Sequence, residues 1–148
     1  LRTGVGIVVL NKKNQIFLAK RIDNPKNFWQ MPQGGIDHGE EFFEAAIREL
    51  EEETSIKTVS LIKELDRLTT YLLPDHLVGI IWKGKYKGQK QKWFVVRFDG
   101  EENEININTK NPEFLDWKWV NIDNLTDEVV NFKIHVYKEI QRELYKII

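Results

Sequence analysis

At 148 residues, with 41% hydrophobic and 30% charged residues, the chain can bury a core of its own as one domain, 1–148, and is not composed like a disordered segment. It has no cysteine, which excludes a disulfide scaffold, a thiolate zinc site and a cysteine nucleophile, and suits a reducing cytoplasm. A formal net charge of −1 gives no reason to expect non-specific binding to DNA, and no apolar run is long enough to span a membrane.

The opening Leu1-Arg2-Thr3-Gly4 lacks the apolar core of a signal peptide. Residues 5–10 form a β-rich apolar run and 16–19 another, with Asn11-Lys12-Lys13-Asn14 between them as a hairpin turn. Asn24-Pro25-Lys26-Asn27 is expected to be a loop. So is Gln33-Gly34-Gly35, because two adjacent glycines cost a helix or strand too much backbone entropy. The spacing predicts a helix over 41–54, where Phe43, Ala46, Ile47 and Leu50 fall at i, i+3, i+4 and i+7 on one apolar face. Strands are predicted at 58–65, 78–82, 93–98 and 117–120. In the last of these Trp117 and Trp119 share a face and pack the sheet, while Lys118 takes the other. A second helix over 132–147 turns Val136, Ile140, Leu144 and Ile147 inward. The expected class is α+β (mixed α/β), a central mixed β-sheet sandwiched between α-helices.

Charge is segregated. From Asp37 to Glu53 there are eight acids and one base, Arg48, and from Lys83 to Lys92 there are five lysines and no acid. Within the first patch Glu49, Glu52 and Glu53 stand at i, i+3 and i+4, so their carboxylates share one helical face and repel one another. A solvated acidic face has the same pattern. A divalent cation would relieve the repulsion, and an all-oxygen ligand set suits Mg²⁺ or Mn²⁺. His38, His76 and His135 share no ligand spacing and are assigned no metal. Arg48 can bridge to Glu44 or Glu52 along the helix and hold the ligand carboxylates in place.

Gly34, five residues, Glu40, seven residues, Arg48-Glu49-Leu50, one residue, Glu52-Glu53, one residue, then Ser55-Ile56 resembles the Nudix box. Ser55 is the one departure, standing where that box usually has Gly at the helix end. Three further stretches are Trp29-Gln30-Met31-Pro32-Gln33-Gly34-Gly35-Ile36, Gly88-Gln89-Lys90-Gln91-Lys92-Trp93-Phe94 and Pro112-Glu113-Phe114. Together with Trp117-Lys118-Trp119-Val120 they are similar to the bacterial RNA pyrophosphohydrolases, a subgroup overlapping the dinucleoside polyphosphate hydrolases. The resemblance implies a Nudix fold and metal-dependent hydrolysis of a phosphoanhydride. It implies Glu113 as a fourth metal carboxylate beside Glu49, Glu52 and Glu53, and the Gly34 carbonyl as a further ligand. It also implies Arg2, Arg21, Lys92 and Gln91 as phosphate contacts, and Phe132-Lys133 as a nucleobase-stacking segment. Read alone, Glu113, Arg2 and Arg21 fit a solvated surface better, Lys92 has a strong rival role as a lysine protecting an edge strand, and Phe132 fits the core equally.

The expected reaction converts 5′-triphosphate RNA to 5′-monophosphate RNA, with Glu49 or Glu53 taking the proton of the attacking water. A dinucleoside polyphosphate substrate is the nearest alternative. A non-catalytic nucleotide- or RNA-binding module is the alternative of another class, and the complete set of repelling acids speaks against it.

Overall fold

A computed structural model of the chain describes residues 1–23 and 28–148; the loop expected at 24–27 lies outside the described residues. One mixed sheet is built from β1 (Arg2–Leu10), β2 (Ile16–Arg21), β3 (Trp29–Gln30), β4 (Gln33–Gly35), β5 (Val59–Glu64), β6 (Thr69–Leu72), β7 (Gly88–Phe98) and β8 (Phe114–Val120). Its spine runs β3-β2-β1-β7-β5, with β8 paired to β2, β4 to β1 and β6 to β7. β1 and β7 run parallel in register from Arg2 opposite Gln89 to Leu10 opposite Arg97, and the remaining pairs are antiparallel.

The helices α1 (Phe42–Thr54) and α2 (Ile134–Ile147) cover opposite faces. Alternation along β1 sends Val5, Ile7 and Val9 toward Ala45, Ala46 and Leu50 of α1. Val8 and Leu10 go into the other layer, with Trp93, Val95, Val136, Tyr137, Ile140 and Leu144. A strand covered on both faces reads as a continuous apolar run, which is what 5–10 is. Each fully buried aliphatic side chain contributes about 1.5–3 kcal/mol.

The predicted strands at 5–10, 16–19, 58–65, 93–98 and 117–120 and both helices are present, with ends shifted by a few residues. Trp117 and Trp119 pack Phe17, and Trp119 also stacks on Phe98. Two expectations are corrected. Gln33–Gly35 is a strand, pairing with Gly4, Val5 and Gly6 of β1. Backbone pairing on both sides of β1 outweighs the entropy cost of the glycines. The predicted strand at 78–82 is instead a run of turns ending in a 3₁₀ helix, Ile81–Gly84, and the strand that pairs with β7 there is Thr69–Leu72. Val78 and Ile80 are exposed, whereas Thr69 and Tyr71 are buried. The apolar run at 78–82 therefore has no sheet face to fill.

Candidate active site

α1 starts with the Glu41 N–H donating to the Glu44 carboxylate at 3.2 Å. It ends at Ser55, whose φ of 66° is left-handed, with the Ser55 hydroxyl donating to the Asn106 carbonyl at 2.8 Å. That hydrogen bond offsets part of the cost of placing a non-glycine residue in the left-handed region. Ser55, standing where the box this stretch resembles usually has Gly, thus leaves the helix end intact.

Arg48 organises the acidic face. It donates to Glu40 at 2.8 Å, to Glu49 at 2.8 Å, to Glu52 at 3.2 Å and to the Gly35 carbonyl at 3.0 Å, with Asp37 at 3.3 Å. Of the two partners expected from helical spacing, Glu52 is engaged, while Glu44 serves the helix start. The Arg48 guanidinium and the Asp37 backbone N–H hold the Glu40 carboxyl down at about 2. Because Arg48 draws Glu49 and Glu52 toward itself, no three acids converge to metal-ligating distance among the described residues. Glu49, Glu52 and Glu53 nonetheless line one cavity, on the face that helical spacing gave them.

Glu53 differs from its neighbours. It is 3% exposed, and its Oε2 has no hydrogen-bond donor among the described residues. Burial raises its pKa well above the ordinary carboxylate value, and the charges of Glu113 and Glu49 push the same way; Arg21 and the Gln33 backbone N–H oppose them. Burial also raises Glu49, against the pull of Arg48. Glu52 is the outer member, its side chain 58% exposed. Glu113, just before β8, faces this group across a cavity of about 790 Å³ that Glu49, Glu52, Glu53 and Lys110 also line. Its backbone carbonyl accepts from the Ile22 N–H at 2.9 Å, which fixes the loop against the end of β2. Gly34, in β4, sits so close under Glu49 that a Cβ there would lie 2.0 Å from the Glu49 Cδ.

A buried carboxylate oxygen with no donor among the described residues, with the carboxylates of Glu49 and Glu113 beside it, fits a divalent cation. Glu49, Glu52, Glu53 and Glu113, with the Gly34 carbonyl, are the residues that could hold it.

A second cavity, of about 660 Å³, opens on the α2 side and is lined by Arg21, Gln33, Tyr71, Trp82, Phe132 and Lys133 among others. Phe132 is half-buried with its ring 5.6 Å from Tyr71, at the cavity wall. The Lys133 Nζ donates to the Gln33 Oε1 at 3.4 Å and lies 5.2 Å from the Tyr71 ring. Burial and nearby Arg21 lower its pKa to about 8, with Glu53 opposing. Gln91 is fully buried and donates to the same Gln33 oxygen at 3.0 Å, while its own Oε1 has no donor among the described residues. Arg2 donates to Gln89 at 3.0 Å and lies over the Trp82 ring at 5.2 Å. Arg21 pairs with Asp23 at 2.8 Å. Lys92 is on the opposite sheet face, 3.5 Å from Glu64. Sequence reasoning passed over Tyr71 and Gln33. Tyr71 accepts from the Gln89 amide at 2.9 Å, and Gln33 is the hub of the amide network. Neither carries a signal outside its tertiary setting.

A mixed sheet carrying an acidic helix on one face and a ring-lined cavity on the other is the layout of an α+β hydrolase of the Nudix fold. Residues 1–140 match the NUDIX domain, and the chain belongs to the Nudix hydrolase family. It is 65% identical to an RNA pyrophosphohydrolase of Pelagibacter ubique (strain HTCC1062) over 148 residues, covering 100% of this chain and 94% of that protein. To the RNA pyrophosphohydrolase of Rhodospirillum rubrum it is 46% identical over 143 residues, 97% of this chain and 86% of that one. Among solved structures, the E. coli dihydroneopterin triphosphate pyrophosphohydrolase superposes with a TM-score of 0.75 at 21% identity, covering 95% of each chain. A C. elegans Ap4A hydrolase in a binary complex superposes with a TM-score of 0.66 at 19% identity, over 97% of this chain and 98% of that one.

Proposed function

We propose that this chain is an RNA pyrophosphohydrolase that removes pyrophosphate from 5′-triphosphate RNA and leaves 5′-monophosphate RNA, using Mg²⁺ or Mn²⁺. The full-length match at 65% identity to the Pelagibacter protein of that name carries the reading. The likeness to an Ap4A hydrolase, at 19% identity, reaches the fold only.

Glu49, Glu52, Glu53 and Glu113, with the Gly34 carbonyl, would hold the cation. When bound, it supplies charge neutralisation for the polyphosphate and a more acidic water. Attack of water on phosphorus breaks one phosphoanhydride P–O bond, and pyrophosphate leaves with the electron pair. The water's proton goes to the carboxylate of Glu49 or Glu53. Arg48 orients Glu49. Arg2, Arg21 and Lys133 would face the phosphates or their approach, Gln91 would steady Gln33 beside them, and Phe132 would stack a base; Lys92, beside Glu64 on the other sheet face, would not join them.

The test is product analysis on 5′-triphosphate RNA and diadenosine polyphosphates in parallel. EDTA should abolish hydrolysis, and Mg²⁺ or Mn²⁺ should restore it. Full turnover in metal-free buffer would refute the mechanism. Release of adenosine nucleotides from the dinucleotide, with RNA ends untouched, would refute the substrate.

A further inference from the structure

The segment between β6 and β7 is unlike the rest of the surface. Trp82 and Lys83 are consecutive non-glycine residues in the left-handed region, at φ/ψ of 54°/37° and 57°/28°. Such a pair is costly for side chains with a Cβ and persists only where the surroundings hold it. The turn sets Trp82 at the wall of the α2-side cavity, under the Arg2 guanidinium and edge-on to Tyr86 at 6.2 Å. Just beyond it Lys83, Lys85 and Lys87 are exposed, and none has an acidic partner among the described residues. The sequence from 76 to 92 contains no acid at all. Lys92, further along β7, does have one, Glu64. Edge protection would account for lysines on an unpaired strand, yet these three precede β7 or lie in the turn, outside the strand pairs.

We propose that this segment is a landing strip for the RNA body: Trp82 offers a ring to a base beyond the 5′ end, and Lys83, Lys85 and Lys87 hold the phosphates that follow. The proposal deepens the RNA reading and rests on it. Single-stranded RNA is the occupant favoured by the combination present here. An aromatic ring adjoins the cavity where the 5′ nucleotide would sit, and exposed lysines without an acidic partner among the described residues follow it along the chain. A dinucleoside polyphosphate ends within the cavity and leaves the lysines untouched.

The experiment compares the wild-type chain with a Lys83→Gln, Lys85→Gln, Lys87→Gln variant and with Glu at the same three positions. Binding of 3′-labelled 5′-monophosphate oligoribonucleotides, a dinucleotide and an octanucleotide, is read by fluorescence anisotropy over a salt series. Hydrolysis is read on 5′-triphosphate RNA of the same two lengths and on diadenosine tetraphosphate. The wild type should bind the longer RNA more tightly. The Gln variant should lose about tenfold of that gain, and its salt slope for the octanucleotide should drop by about 2, as expected for three lost phosphate contacts on a single strand. The Glu variant should lose more. Dinucleotide binding and diadenosine hydrolysis should stay at wild-type level, which also certifies the fold. An octanucleotide bound no more tightly than the dinucleotide, or a length gain that survives in the Glu variant, would overturn the strip. Those binding outcomes are independent of catalysis. Failure to process any 5′-triphosphate RNA would instead overturn the substrate reading.

Discussion

Glu53 and Glu49 stand one helical turn apart yet live in different surroundings. Glu53 is sealed in with one oxygen unpartnered; Glu49 is half-buried and tied to Arg48. A folded protein keeps a buried, donorless carboxylate only against a cost, and here Glu113 and Glu49 add to it. Replacing Glu53 by Gln removes the charge and keeps the volume. The rate should fall by at least ~10²-fold if Glu53 holds the cation or takes the proton. Thermal melting should hold or rise, because a desolvated charge has gone and no cavity has opened. Steady-state kinetics and a melting curve on one protein decide it, and near-wild-type turnover would refute the role. The spacing of Glu49, Glu52 and Glu53 was legible in the sequence. Which of them is buried was not, because helical periodicity alone places Glu53 on the same polar stripe as Glu52.

At the scale of elements, β4 and α1 carry the residues proposed to hold the cation, and their closeness depends on Gly34. Nothing in its backbone demands glycine, since its φ is not positive. The demand comes from Glu49, whose Cδ lies 2.0 Å from where a Cβ would be. Gly34→Ala should therefore leave the strand paired and the fold within ~1 kcal/mol of wild type, since the atom that must move is on a side chain. The displaced atom belongs to a carboxylate proposed to hold the cation or take the proton, so on that reading the rate should drop by ~10-fold or more. Wild-type rate in a folded Gly34→Ala protein would show that the position of Glu49 does not matter. The same element explains a misreading. Entropy argued for a loop at Gln33-Gly34-Gly35, but an entropy rule is blind to β1, which supplies the pairing from thirty residues upstream. The segment 78–82 erred in the opposite sense. Its composition is β-rich, yet Gly79, Trp82, Lys83 and Gly84 all take positive φ, and β7 already has Thr69–Leu72 as its partner.

Across the whole molecule the sheet separates an acidic cavity from a cationic, ring-lined one, and only a few side chains couple them. Both helices were legible from their period, and the alternation of β8 from its tryptophans. The two cavities were not, because each is walled by residues far apart in the chain: Glu49 and Glu53 with Glu113 in one, Arg21 and Gln33 with Tyr71, Trp82 and Phe132 in the other. Lys133 shows the coupling. It begins the α2 side, yet it feels Arg21 and Glu53, and burial brings its pKa to about 8. An unfolded lysine titrates near ~10.4. Between those values the unfolded chain carries a proton that the folded chain has released, so unfolding takes up a proton and stability rises with pH across the window. The gain approaches ~3 kcal/mol at the upper end and is absent below about pH 8, where both states are charged. Lys133→Met keeps the bulk and removes the titration. The variant should melt above wild type at neutral pH, and the gap should narrow as pH climbs from 8 toward 10. Its affinity for RNA ends should be weaker throughout if the ammonium meets phosphate, and wild-type affinity should fall toward the variant's over the same window. Melting curves that stay parallel across that range would mean that Lys133 reaches water more freely than its surroundings imply.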